Sequence, residues 1–200
     1  MQDWWSYSLS DFLLFSPRTY YRMIERHNEA VWPAQLLTIA LGVGILGALR
    51  RPSAQQGRLI AGILAILWIW VAWSFLLQRY VTINWAIEYI APLFLLEALL
   101  LAWWGVVRGK LSFAVGSGAG GRLGTALLVV GLLLYPALAA IFGRPWKQAE
   151  VFGIAPDPTV VATAGLLLLT NSRFRWGLLP VPLLWCALTA ATLWAMSAQS

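Results

Sequence analysis

Glu97 stands midway along the apolar run 87–107, within the stretch APLFLLEALLLAWW. If that run crosses a bilayer, the carboxyl lies near the midplane, where a charged carboxylate costs about 2.5–3.5 kcal/mol on insertion scales. It is therefore expected to face the bundle interior, either as a proton or cation site or as a protonated acid bonded across a helix interface. Phe94 and Trp104, at i−3 and i+7, share its helix face. A second acid, Asp157, sits between Pro156 and Pro158 in FGIAPDPTVV. The spacing predicts a helix that begins at Pro158, with Asp157 as its N-cap accepting from the N–H of Val160 or Val161. A short helix broken by prolines at its start is also where transporters place a solute, facing the half-helix end. Both roles stay open for Asp157. Polar side chains recur at helical spacing in three further runs: Gln35, Thr38 and Gly42; Thr159, Thr163 and Thr170; Cys186, Thr189 and Thr192. Such stripes either converge on a site or bond their own i−4 carbonyls and neighbouring helices. Gly124, Gly131 and Tyr135, in the run 123–142, read instead as a close-packing seam. The candidate binding set is Glu97, Asp157, Thr159, Thr163, Trp104 and Gln35.

Other chemistries find little support. No nucleophile, base and orienter set occurs, and no HExxH, CxxC or phosphate loop, so no enzyme activity is expected. His27 is the only histidine, which excludes bis-His haem ligation within one chain; beside Glu25 and Glu29 it reads as a helix-surface residue rather than a metal ligand. No metal site is expected, and no cofactor is identified. Cys186 is the single cysteine, so an intrachain disulfide is excluded. Gly116, Gly118 and Gly121 match GxGxxG literally, but no strand precedes them and no βαβ unit follows, so the stretch reads as a flexible linker. The net charge of +6 comes from short basic clusters between apolar runs, which anchor loops and form no nucleic-acid-binding face.

The elements that must position these residues follow from hydropathy. The chain has 200 residues, 60% hydrophobic and 11% charged, with a mean hydropathy of +0.71, outside the range of soluble globular domains. About 20 apolar residues span a hydrocarbon core of roughly 30 Å. Six runs qualify: 31–49, 59–77, 87–107, 123–142, 158–171 and 178–197, the fifth being short. The expected fold is all-α, a polytopic membrane bundle of about six transmembrane helices. Ser16 and Pro17 open a further helix on which Tyr20, Ile24 and His27 share one face and Arg22, Glu25, Arg26 and Glu29 the other, the pattern of a helix lying in the membrane interface. The organisation expected is an interfacial segment over 1–30, three helices over 31–109, a Gly-rich linker over 110–122 and three more helices over 123–200. Pro92 with Trp104 and Pro182 with Trp194 suggest a repeat between the two sets. Lys and Arg are slightly more numerous in the first, third and fifth loops than on the opposite side, which favours both termini outside the cytoplasm.

The segments WWSYSLSDFLLFSPRTYYRMIERHNEAVWPAQ and FGIAPDPTVVATAGLLLL resemble an uncharacterised family of small bacterial inner-membrane proteins. The resemblance implies a multi-span bundle and a bacterial plasma-membrane location, and supplies no activity. Members often carry Cys between the two prolines, where this chain has Asp157, so a thiol-based metal site does not carry over. The function expected is binding or transport of a small solute or cation through the bundle. The rival is an aromatic-rich accessory subunit that holds a lipophilic ligand or a partner's helices, using some of its 13 Trp. The bilayer, a second copy or a membrane-complex partner are the partners in view, and nucleic acid is not.

Overall fold

Ser16 and Pro17 start the first helix as their types dictate: the Ser16 hydroxyl accepts from the Thr19 N–H at 3.3 Å and Pro17 occupies the first helical position. The computed structural model describes residues 15–197; residues 1–14 of the expected interfacial segment, and 198–200, lie outside the described residues. Helix α1 (Pro17–Ala30) buries Tyr20, Met23, Ile24 and His27 and leaves Arg22, Arg26 and Glu29 exposed, as its two-faced pattern requires. The chain then bends by 89° into α2 (Ala34–Ala48).

Helix α3 (Ala54–Val71) runs on through a π turn at Ala72–Leu77, and α4 (Ile87–Leu101) through another at Ala102–Val107. Helix α5 (Ala119–Val129) has a third at Val130–Leu134 and is followed, past Pro136, by α6 (Ala137–Ile141). The remaining helices are α7 (Pro156–Leu168), α8 (Arg175–Leu178) and α9 (Pro180–Ser197). The regular elements among the described residues are all helical, and one isolated bridge pairs Phe113 with Thr170. Ala54–Thr82, Ile87–Val107 and Arg175–Ser197 are long and apolar enough to cross a membrane; the bent pair α1 and α2 makes a fourth if it counts as one span.

Helix α7 is the hub. At 13 residues it is about 20 Å long, and every residue in it except Val161 and Leu168 is buried. It packs on α5, α9 and α3. Glycines set the closest of these contacts: a Cβ on Gly131 would lie 2.6 Å from the Ala162 nitrogen, and one on Gly165 would lie 2.6 Å from the Leu128 nitrogen. Backbones this near leave no room for a side chain, which is how membrane helices gain contact where apolar burial drives little association.

The connections gather at two ends. At one, the Gln56 side chain donates to the Phe113 carbonyl (3.2 Å) and the Ala114 N–H to the Leu169 carbonyl (3.2 Å), so the links after α2, α4 and α7 meet there. Leu111 and Phe113, in the segment read as a linker, are fully buried at this end, while Gly116 to Gly118 are exposed. At the other end α1 lies across the bundle. Tyr20 packs edge-on against Tyr80 past the end of α3, and Asn28 donates to the carbonyls of Lys147 and Ala149, both at 2.8 Å. Lys147 and Glu29 add an exposed ion pair at 2.7 Å.

Candidate functional site

Pro156 and Pro158 occupy the first and third positions of α7, where a missing N–H costs nothing because those donors have no partner within the helix. The helix therefore starts two residues earlier than the expected Pro158. Ala155 is its N-cap, with no side-chain cap bond, and Asp157 is the second helical residue. The expectation that Asp157 caps Val160 or Val161 is thus overturned. The restriction that a proline places on the residue before it yields here, and the freed carboxylate turns sideways to other helices.

Three donors meet it. Oδ1 accepts from Trp185 Nε1 at 2.5 Å and from the Thr189 hydroxyl at 2.9 Å, and Oδ2 from the Tyr135 hydroxyl at a longer 3.4 Å. Trp185 and Thr189 are four residues apart, one turn on the inner face of α9. Tyr135 directly follows the π turn of α5, the kind of local widening often found at functional sites. Asp157 is 5% exposed, so these bonds act in a medium of low dielectric where a carboxylate needs them.

The chain reaches Asp157 through a buried loop, 149–155. Gly153 adopts φ of +73°, a conformation that favours glycine, and its N–H donates to the Thr159 hydroxyl at 2.8 Å. Thr159 in turn donates to the Ala155 carbonyl at 2.7 Å, and together these bonds lock the loop onto the first turn of α7. One turn on, the Thr163 hydroxyl accepts from Trp68 Nε1 at 2.9 Å. Trp68 packs on Phe94 and Phe94 on Trp185, with ring centroids 4.6 and 4.9 Å apart. Thr159 and Thr163 thus position the loop and the aromatic row rather than line an opening.

Two cavities flank the inner edge of α9. One of about 220 Å³ has Asp157, Tyr135, Val161, Cys186 and Thr189 in its wall; another of about 150 Å³ lies under Tyr20 and Tyr80 and includes Asn84 and Thr192. Trp185, Thr189 and Leu193 border both. At about 30 Å³ per water, either has room for a few waters or one small solute. Beneath α1, Glu150 is buried in the loop. Burial first, and then the Asp157 carboxylate, push its carboxyl above the ordinary range, against the pull of Arg144. The Arg144 guanidinium lies over the Tyr21 ring at 4.1 Å, with Nε and one terminal nitrogen buried and unbonded among the described residues.

The other expected residues lie apart. Glu97 is fully buried, facing the interior, and neither carboxyl oxygen has a hydrogen-bond partner among the described residues. It is one turn beyond Phe94, the middle ring of the aromatic row. Trp104 is half-buried and stacks on Phe174 at 3.9 Å, at the opposite end of the bundle from α1. Gln35 donates to the Asn28 carbonyl at 2.8 Å and ties the corner between α1 and α2. His27, expected on the helix surface, is 1% exposed and edge-on to Phe75; burial pushes its imidazole down to about 4, so it is neutral at physiological pH. Among the described residues no three of His, Cys, Asp and Glu come together to hold a metal ion. Trp185 and Glu150 carried no signal in the sequence pattern, since a Trp in an apolar run reads as an interface anchor. Tyr135 read only as part of a packing seam.

Fold and site define a class: a helical bundle around a short buried helix whose first turn carries a bonded carboxylate. Residues 18–199 match a family of unknown function, DUF6064, and the chain belongs to it. No curated protein and no solved structure matches the chain.

Proposed function

We propose that the chain is a six-span inner-membrane protein that binds or moves a small cationic solute, or a proton, at Asp157. The alternation of its connections between two ends supports six crossings, with α2, α5 and α7 as the shorter ones. The outer faces support a lipid surround: Leu36, Val43, Ile66, Leu99 and Leu183 are exposed apolar residues along the helix shafts. Exposed Trp85 and Trp103 lie 18 residues apart on α4 and its extensions, about 27 Å at helical rise, close to the thickness of a hydrocarbon core.

The observation that carries the reading is the Asp157 carboxylate, buried between helices, bordered by a cavity, and with Oδ2 only loosely occupied by Tyr135. A cation or N–H donor entering that cavity finds a carboxyl acceptor already held in place, without the cost of ordering it first. Glu97, one turn from Phe94, serves as a second buried acid. The test is flux or binding with the full chain in lipid vesicles, using a pH-sensitive dye for protons and labelled methylammonium for a small cation. Asp157→Asn keeps acceptor capacity and is expected to fold while losing at least about tenfold of the signal, the loss of one charged hydrogen-bond partner. Signal equal to empty vesicles, or undiminished in Asp157→Asn, sinks the proposal.

A second reading has its own support. Ile87, Ile90, Leu188 and Leu193 give the cavity under Tyr20 an apolar side, which suits a lipophilic ligand or an accessory subunit. A small apolar molecule that co-purifies in equal amount with the chain and with Asp157→Asn would favour it.

A further inference from the structure

A third cavity, of about 230 Å³, opens between α1 and the end of α3, away from Asp157. Thr19, Arg22 and Arg26 rise on successive turns of α1 and face Gln78, Arg79 and Thr82 across it. Three arginines therefore line one small space. No carboxylate among the described residues lies within ion-pair distance of them, and the two acids of α1 are engaged elsewhere, Glu25 by Gln148 and Glu29 by Lys147. Arg22 and Arg26 are also a like-charged i,i+4 pair, an arrangement that weakens a helix unless something neutralises it. Met23 and Ile83 give the cavity an apolar side.

We propose that this cavity is a binding site for a phosphate group, held by the forked N–H donors of Arg22, Arg26 and Arg79 with the Gln78 amide beside them. Several guanidinium forks around one centre match the several oxygens of a phosphate better than the single plane of a carboxylate. The phosphate of an anionic lipid headgroup and free phosphate share this chemistry. The membrane reading above bears only on which source is used: a headgroup reaches the site from the bilayer, with its chains along Met23 and Ile83, whereas free phosphate needs no membrane.

The experiment uses the purified full chain. Retention of phosphatidylglycerol against phosphatidylcholine is measured by native mass spectrometry, and binding of inorganic phosphate by calorimetry. An Arg22→Gln/Arg79→Gln double variant is expected to lose at least about tenfold of the affinity for whichever phosphate binds, while Arg51→Gln, which removes one exposed charge at the other end, changes it little. Selective loss of phosphatidylglycerol supports the headgroup source, and loss of inorganic phosphate binding supports the free ion. Binding that is absent in the parent chain, or unchanged in the double variant, overturns the site. If the double variant does not fold, the parent decides: phosphatidylglycerol or inorganic phosphate must raise its unfolding midpoint in a way that high salt abolishes, and no such rise overturns the proposal. A phosphate site that survives while Asp157→Asn flux fails would separate this inference from the solute reading.

Discussion

Two of the buried acids, Asp157 and Glu97, meet opposite circumstances. Asp157 has three donors turned to it from α5 and α9; Glu97 has none among the described residues. Their substitutions should therefore differ in sign. Asp157→Ala strands the Trp185 N–H and the Thr189 hydroxyl, and each stranded buried donor costs about 1–3 kcal/mol. A loss of at least about 2 kcal/mol is expected, seen as a lowered unfolding midpoint in detergent. Glu97→Met removes a carboxyl that nothing among the described residues compensates and keeps similar volume, so stability should hold or rise by about 1 kcal/mol. A Glu97→Met chain that unfolds as readily as Asp157→Ala would mean that Glu97 has a partner of equal weight. The two acids also differ in how much of their role was legible. Burial of Glu97 followed from its depth in an apolar run, because lipid offers a carboxyl nothing. The partners of Asp157 did not follow, since they come from residues 22 and more positions away in sequence, and local rules about caps and prolines pointed to the backbone instead.

At the level of elements, the sequence located the helices well and their couplings poorly. Ser16 and Pro17 mark the start of α1, and its buried face is the one that periodicity indicates. Gly124 and Gly131 on α5 read as a packing seam, and both lie against the backbone of α7. What periodicity missed was the enclosure of α7: the helix was read over 158–171, but a helix buried all round has no polar face from which its surroundings can be read. The loop before it was equally opaque, because the Gly153 turn depends on the Thr159 hydroxyl six residues on. The seam gives a sharp test. Gly131→Val would drive a side chain into the Ala162 nitrogen and the Pro158 carbonyl, forcing α5 off α7. A loss of more than about 2 kcal/mol is expected, or failure to accumulate. Gly44→Ala, at a position with nothing within 4 Å of the added carbon, should be neutral or slightly stabilising. Equal behaviour of the two variants in thermal unfolding would show that the close approach carries no stability.

Across the whole molecule, the arrangement of connections makes a topological prediction. In a Cys186→Ser background, a cysteine at Ser117 and one at Arg18 belong to opposite ends of the bundle. Membrane-impermeant thiol reagents should label them from opposite sides, Ser117→Cys from the cytoplasm and Arg18→Cys from outside, given the slight excess of Lys and Arg in the odd loops. Labelling of both from one side would refute the six-crossing arrangement. The all-round enclosure of α7 also bears on how the chain is made. Its walls include α9, which leaves the ribosome after it. At 13 residues, with a proline-broken start and an acid in its first turn, α7 is a poor candidate to be released sideways into lipid on its own. In the proposed six-span arrangement it would wait at the insertion machinery, or beside α3 and α5, until α9 emerges and closes round it. A nascent chain that stops before Pro180 should therefore remain bound to that machinery or be handed to quality-control proteases, whereas one extended through Ser197 is set free.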